Sequence, residues 1–419
     1  MKNIRLSWLL ICCALLLPLP SAAKTARELF DDLNSLVFQV RVIDVASGNK
    51  SSIGSGFQVH QSGRIATNFH VVSSFVHEPD KYRIEVLDRD GVSVPARLQS
   101  IDVVHDLAIV QASTPSAGAL ALSERSLAKG ERIFSMGNPQ DLGMTIIEGN
   151  YNGLIKTSRR RTFLFSGSLN PGMSGGPALD GDGAVIGINV ARQGEQLGFL
   201  VPVADLVNLL QVDVADVDKR VLQDSIRDGL LADQDDYYGA LLAATWHSEE
   251  FGGLMLPSGL DSNLKCWGHS VDEEDIDYRS FHQHCQSQND VFVRDDFRSG
   301  RFFYDYEWFT AHDLNRFQLY SALQQRFTHR FLGNIDSDKH ATDYRCHTDL
   351  VDVDATPWKA SVCFRAYKDY AGLHDALLLL ASLQYPDRAA IVKVGATGIS
   401  KEHALQLFAD YLSAIKWKP

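Results

Sequence analysis

The sequence predicts an all-β sandwich or barrel followed by an α+β domain with an antiparallel sheet. Three observations carry this. Short β-type runs separated by turn residues fill positions 37 to 205. An acidic helical stretch opens at 213. The four cysteines beyond the N-terminal segment all fall in the C-terminal half. A chain of 419 residues suffices for two or three domains, and 45% hydrophobic content is ordinary for globular ones.

Lys2 and Arg5 precede the apolar run LSWLLICCALLLPLP, and SAA follows at 21–23. A positive flank, a short apolar core and small residues describe a secretory signal peptide over 1–23, cleaved after Ala23. The run is short for a membrane span. Cys12 and Cys13, with no small residue ahead of them, read as signal core. No later run reaches 18 apolar residues, so the expectation is an exported protein of the periplasm or cell envelope with no membrane span in its mature form. Removing two basic and no acidic residues takes the formal charge from −12 to −14. With no clustered basic patch, that argues against a nucleic-acid partner. The run SRRR at 158–161 reads as a solvated turn.

Residues 24–36 read as an amphipathic helix with Leu29, Phe30 and Leu33 on one face. The runs FQVRVIDV, GSGFQVH, GRIATNF, YRIEVLD, LAIVQ, ERIFSMG, AVIGINVA and LGFLVPV follow as strands, and a helix over 203–212 closes the unit. The first domain therefore spans 24–212, with a helical connector over 213–250 and the α+β domain over 251–419. Within the latter, the aromatic stretch 302–331 reads as core. A helix over 400–415 has Ser400 as its N-cap.

Export changes the reading of the cysteines. An even number in an oxidising compartment favours disulfides, here Cys266–Cys285 and Cys346–Cys363, although four cysteines allow three connectivities. The second pair sits in two strand-like runs, YRCHTDLV and ASVCFRAY. Cys266, His269, His282, His284 and Cys285 also have types and spacings that suit zinc. The disulfide is the better reading, and no metal is expected. The acidic VDEEDID at 271–277 lacks the ligand register of a calcium loop.

The chemistry points to the first domain. In NPGMSGGP, residues 170–177, Ser174 lies among glycines that let a substrate backbone approach. A serine hydroxyl needs a base to take its proton and donors to hold an oxyanion. Upstream, His70 ends the run GRIATNFH and Asp106 opens DLAIV. The chain order His, Asp, Ser in a β-barrel pattern is that of a chymotrypsin-like double barrel, not of α/β-hydrolases or subtilisins. Gly172 and Ser174 would supply oxyanion-hole N–H groups, with Gly172 needing an unusual backbone conformation.

The stretch from about 50 to 205 resembles the HtrA/Deg type of trypsin-like serine protease. The resemblance rests on IGSGF, TNFHVV, HDLAIV, GNP at 137–139, GMSGGP, GIN at 187–189 and GFLVPV at 198–203, in that order. It implies peptide-bond hydrolysis through an acyl-enzyme in the cell envelope, on polypeptide substrates and without metal or cofactor. His70 would be the general base, Asp106 its orienter and Ser174 the nucleophile. Members are often trimeric, which leaves a homo-oligomer open. Two departures stand out. The C-terminal half does not resemble the PDZ domains usual there, and Val190 follows Asn189 where the family often has a hydroxyl. In trypsin-like folds the pocket floor lies six residues before the nucleophile, here at Ser168, which is not acidic. Ile188 and Val190 would favour a small or medium apolar side chain, while Arg192 would meet an acidic one. The rival expectation is a catalytically idle barrel acting as a chaperone or binding protein.

Overall fold

The β-type runs of the first half close on themselves twice. The computed structural model describes residues 23–114, 117–192, 197–212, 218–272, 278–288, 290–312, 314–327 and 337–418, so the signal-like segment 1–22 lies outside the described residues. Thr25 and Glu28 form a reciprocal capping box at the start of α1 (Ala26–Leu33), which buries Leu29. The first barrel contains β1 (Val37–Asp44), β2 (Lys50–His60), β3 (Arg64–Thr67), β4 (Tyr82–Leu87), β5 (Ser93–Asp102) and β6 (Leu107–Ala112), with α2 (Phe69–His77) between β3 and β4. It closes in the order β1-β2-β3-β6-β5-β4. The second contains β7 (Arg132–Gly137), β8 (Thr145–Leu154), β9 (Phe163–Phe165), β10 (Pro177–Leu179), β11 (Val185–Arg192) and β12 (Gly198–Pro202), in the order β10-β11-β12-β9-β8-β7. Closure gives every strand of each barrel a neighbour on both sides over at least part of its length. Phe57, Leu107, Phe134 and Ile188 join the two through one shared core, and α3 (Val203–Leu209) ends the unit.

A single long helix fastens this unit to the rest. In α4 (Lys219–Ala243), capped by Asp218, Leu222, Ile226, Leu230, Gln234 and Tyr238 recur every four residues and are buried. Leu222, Ile226 and Leu230 pack into the core of the first barrel, whereas Tyr238 and Leu241 pack into that of the C-terminal sheet. One helix face thus serves two cores.

β13 (His247–Phe251) and β14 (Leu254–Ser258) open the C-terminal domain. Next come β15 (Leu264–Val271), β16 (Tyr278–Ser287), the hairpin β17 (Val291–Arg294) and β18 (Phe297–Ser299), and β19 (Phe302–Ala311). After α5 (Arg316–Arg326) and α6 (Ser337–His340) follow β20 (Arg345–Val353), β21 (Thr356–Ala366), β22 (His374–Ser382), β23 (Arg388–Ile399), α7 (Lys401–Ala414) and β24 (Lys416–Trp417). The main sheet is antiparallel with the order β15-β16-β19-β23-β22-β21-β20. The aromatic stretch obeys strand alternation. Phe302, Tyr304, Tyr306 and Trp308 face the core under α7, and Phe303 and Phe309 face the one under α5. Cys266 is bonded to Cys285 and Cys346 to Cys363, each directly across a strand pair. Both edge strands, β15 and β20, are therefore clipped covalently to their neighbours. Among the described residues, no helix is long and apolar enough to cross a membrane.

The SRRR run is not a solvated turn throughout. The Arg159 side chain is only 4% exposed. It donates to Asp233 Oδ2 at 2.5 Å and to the Gly300 carbonyl at 2.8 Å, and its guanidinium lies 3.9 Å from the Tyr237 ring centre. Arg160 approaches the same aspartate at 3.7 Å, and only Arg161 is exposed. The partners come from α4 and the hairpin, far along the chain, so local sequence gave no sign of them.

Candidate active site

The three motifs meet at the seam between the barrels. β3 ends at Thr67 and Asn68 takes the extended N-cap conformation, so His70 falls in the first turn of α2. Its Nδ1 lies 2.7 Å from Asp106 Oδ2, and its backbone N–H donates to Asp106 Oδ1 at 2.8 Å. The Asp106 carbonyl in turn accepts from Phe69 N–H at 3.1 Å and Asn68 Nδ2 at 2.7 Å. A carboxylate accepts only, so Nδ1 is the protonated nitrogen and Nε2 is left as the basic one. Burial of the ring works against its charged form. The Asp106 carboxylate outweighs this, with a smaller opposing effect from Arg298, and holds the His70 pKa above the ordinary imidazole value.

The turn that delivers Asp106 is strained. Its φ is +57°, in the left-handed region that aspartate tolerates better than most residues. Asp102 shapes this turn. Its Oδ1 accepts from Val104 N–H and His105 N–H, both at 3.0 Å, and its Oδ2 lies 2.7 Å from His105 Nδ1. Sequence reasoning missed Asp102 and His105. The readable signal was an aspartate two and three residues ahead of the backbone groups it binds, in IDVVHD.

The nucleophile loop is packed too tightly for side chains. Gly172 has φ +96°, and a Cβ there would lie 2.3 Å from the Asn138 carbonyl oxygen. At Gly175, φ is +85° and a Cβ would meet the Ser55 carbonyl at 2.2 Å. Two residues outside the predicted set hold this loop. Ser55 Oγ donates to the Gly172 carbonyl at 2.7 Å and accepts from Asn138 N–H at 2.9 Å, while Ser55 N–H donates to the Ser174 carbonyl at 2.7 Å. Asn189 Nδ2 donates to the Met136 and Met173 carbonyls at 3.1 and 3.3 Å. Ser55 lies in IGSGF and Asn189 in GIN, so both motifs were visible but these roles were not. Among the described residues, neither the Gly172 nor the Ser174 N–H donates to a protein acceptor. Two donors side by side at a serine can hold an anionic oxygen.

Ser174 Oγ does not bond to His70. It donates to the Val190 carbonyl at 2.8 Å. Val190 is the extra residue of a β-bulge between β11 and β12, outside the paired register, and the bulge re-aims its carbonyl toward the serine. Of the predicted pocket residues, Val190 lines a cavity of about 730 Å³ that His70 and Asp106 also line. Ile188 is fully buried in the core shared by the barrels and does not line it. Ser168 is half-buried and also lies off this cavity. The Arg192 side chain falls outside the described residues. Unexpectedly, the C-terminal domain also lines the cavity, among others through Phe292 and Arg298 of the hairpin β17–β18.

Comparison with known proteins bears on the barrel unit that carries this site. A family model described as a trypsin-like peptidase domain matches residues 54–188. This part of the chain is a trypsin-like peptidase domain, similar to those of HtrA-named serine proteases. The peptidase domain is 30% identical over 169 residues to the putative serine protease HhoB of Synechocystis, covering 38% of this chain and 39% of that one. It is 31% identical over 180 residues to the mitochondrial serine protease HTRA2 of Drosophila grimshawi, covering 40% and 41%. The chain thus spans about two fifths of the length of these relatives. A solved serine endoprotease from Yersinia pestis aligns with a TM-score of 0.40 at 24% identity, over 45% of this chain and 66% of that one.

Proposed function

We propose that the protein is an exported serine endopeptidase using His70, Asp106 and Ser174. In this reading Asp106 keeps the proton on His70 Nδ1 and stabilises the imidazolium. Nε2 takes the Ser174 proton as Oγ attacks the scissile carbonyl carbon. The carbonyl oxygen becomes anionic against the N–H groups of Gly172 and Ser174. His70 then returns the proton to the leaving amine, and water, activated by the same ring, hydrolyses the acyl-enzyme. Beyond Ile188, β11 has lost its β10 partner, so an extended peptide can add to the edge at Val190 and lie across Ser174.

The observation that carries this reading is the pairing of His70 with Asp106, together with a serine loop in which the Gly172 and Ser174 N–H groups are unengaged. Export and envelope protein quality control are proposed on the signal-like segment 1–23 and on two disulfides, which persist in oxidising compartments. The Ser174–Val190 hydrogen bond favours a second reading, an idle or latent barrel that binds polypeptides. Incubation of the protein with reduced casein, read by mass spectrometry of the products, separates the two. The peptidase reading expects cleavage by wild type and none by Ser174→Ala or His70→Ala. Intact casein with wild type under reducing, oxidising and heat-activated conditions contradicts it.

A further inference from the structure

The C-terminal domain lines the cavity from the end of β16 and from the hairpin β17–β18, and it is the hairpin that reaches the His70 ring. In it, buried and outward residues alternate. Val291, Val293 and Phe297 are buried in the core of the first barrel, while Phe292 and Arg298 are directly paired across the hairpin and face the cavity. The hairpin is held from several sides. His77 Nε2, on α2, lies 2.8 Å from the Val293 carbonyl. Arg159 bonds the Gly300 carbonyl just beyond β18. Phe297 stacks on His340 at 5.5 Å between ring centres. Such an element presents its outer side chains in fixed positions, as a recognition wall requires.

These side chains sit close to the chemistry. The Phe292 ring meets the His70 ring edge-on at 5.9 Å, and the Arg298 guanidinium lies 5.1 Å from the Phe292 ring centre. Arg298 is therefore at most about 11 Å from the His70 ring, roughly three residues of extended chain. Charge in the cavity is nearly all spoken for. Asp106 is engaged by His70, Asp290 by Arg301 and Arg160 by Asp233. Arg161, from the second barrel, and Arg298 and Asp295, from the hairpin, are exposed and make no ion pair among the described residues. A cationic side chain entering the cavity meets one free carboxylate. An anionic one meets two guanidinium groups, each able to bind it bidentately.

We propose that the β17–β18 hairpin is the substrate-recognition wall of the peptidase cleft, with Arg298 and Arg161 selecting an acidic side chain about three residues from the scissile bond. The inference rests on the peptidase reading for its register, but its test does not depend on turnover. Full-length Ser174→Ala protein is presented with N-acetylated octapeptide libraries in which Glu or Gln is fixed at one position. The expected result is retention of the Glu libraries about tenfold over the Gln ones. That ratio falls to near one in the Arg298→Gln and Arg161→Gln backgrounds and is partly restored by Arg298→Lys. Both arginines are exposed, so folding is preserved and is checked by thermal unfolding. Retention without a charge bias, a bias indifferent to both substitutions, or no retention at all overturns the proposal. In parallel, wild type is treated with a fluorophosphonate. Absence of labelling refutes the peptidase reading, while the capture result decides the recognition wall by itself.

Discussion

Replacing Ser55 by alanine tests how the oxyanion donors are held. The side chain is fully buried and joins two loops, donating to the Gly172 carbonyl and accepting from Asn138 N–H. The substitution leaves both buried groups without this partner. At about 1–3 kcal/mol for each stranded group, with some relaxation, the loss of stability is roughly 2–4 kcal/mol. The catalytic effect follows from geometry. Gly172 loses the contact that fixes the peptide following it, and its N–H is no longer held in line with that of Ser174. Removing one oxyanion donor outright costs about 100- to 1,000-fold, so loosening one is expected to cost roughly 10- to 100-fold. The assay is the second-order rate of phosphonylation by a fluorophosphonate, measured well below the melting temperature. The pH dependence of that rate stays as in wild type, because the His70–Asp106 pair is untouched. A rate within twofold of wild type in a folded variant refutes the reasoning.

Two further predictions follow from the charges. Asp106 stabilises the protonated form of His70, and the base acts only when neutral. The phosphonylation rate therefore falls as pH drops through an apparent pKa above the ordinary value of about 6.5, and Asp106→Asn lowers the neutral-pH rate about 10⁴-fold. An acid limb centred below 6.5 contradicts this. Burial, with Arg294 nearby, depresses His77 to about 4. The unfolded state thus binds a proton that the folded state lacks between about pH 6.5 and 4, and stability is lost as pH falls through that window, by up to about 3 kcal/mol. Hydrogen exchange in β17, corrected for intrinsic rates, should show protection decreasing from pH 7 to 4.5 in wild type and changing little in His77→Gln; an equal decrease in both contradicts the role given to His77.

The sequence carried the barrels and the candidate site residues because their signals are local. Alternating strands, the His70 and Asp106 motifs and the glycines around Ser174 are each set by a few neighbouring residues. What it concealed depends on residues far apart. The SRRR run is buried because Asp233 on α4 and Gly300 beyond the hairpin arrive from elsewhere in the fold. Ile188 left the predicted pocket wall for the shared core, and the bulge at Val190, invisible in composition, sets where the Ser174 hydroxyl rests. Ser55 lay in a recognised motif, but its partners Gly172 and Asn138 are 117 and 83 residues away. The place of the hairpin against His70 joins residues more than 200 positions apart and left no trace in the local sequence.

The central claim is that Ser174 is a nucleophile activated by His70. Phosphonylation by a fluorophosphonate, mapped to a residue by peptide mass spectrometry, addresses it most directly. The account predicts a single adduct at Ser174 in wild type, at a rate reduced by several orders of magnitude in His70→Ala. An unmodified Ser174 in wild type, or equal modification with and without His70, contradicts it.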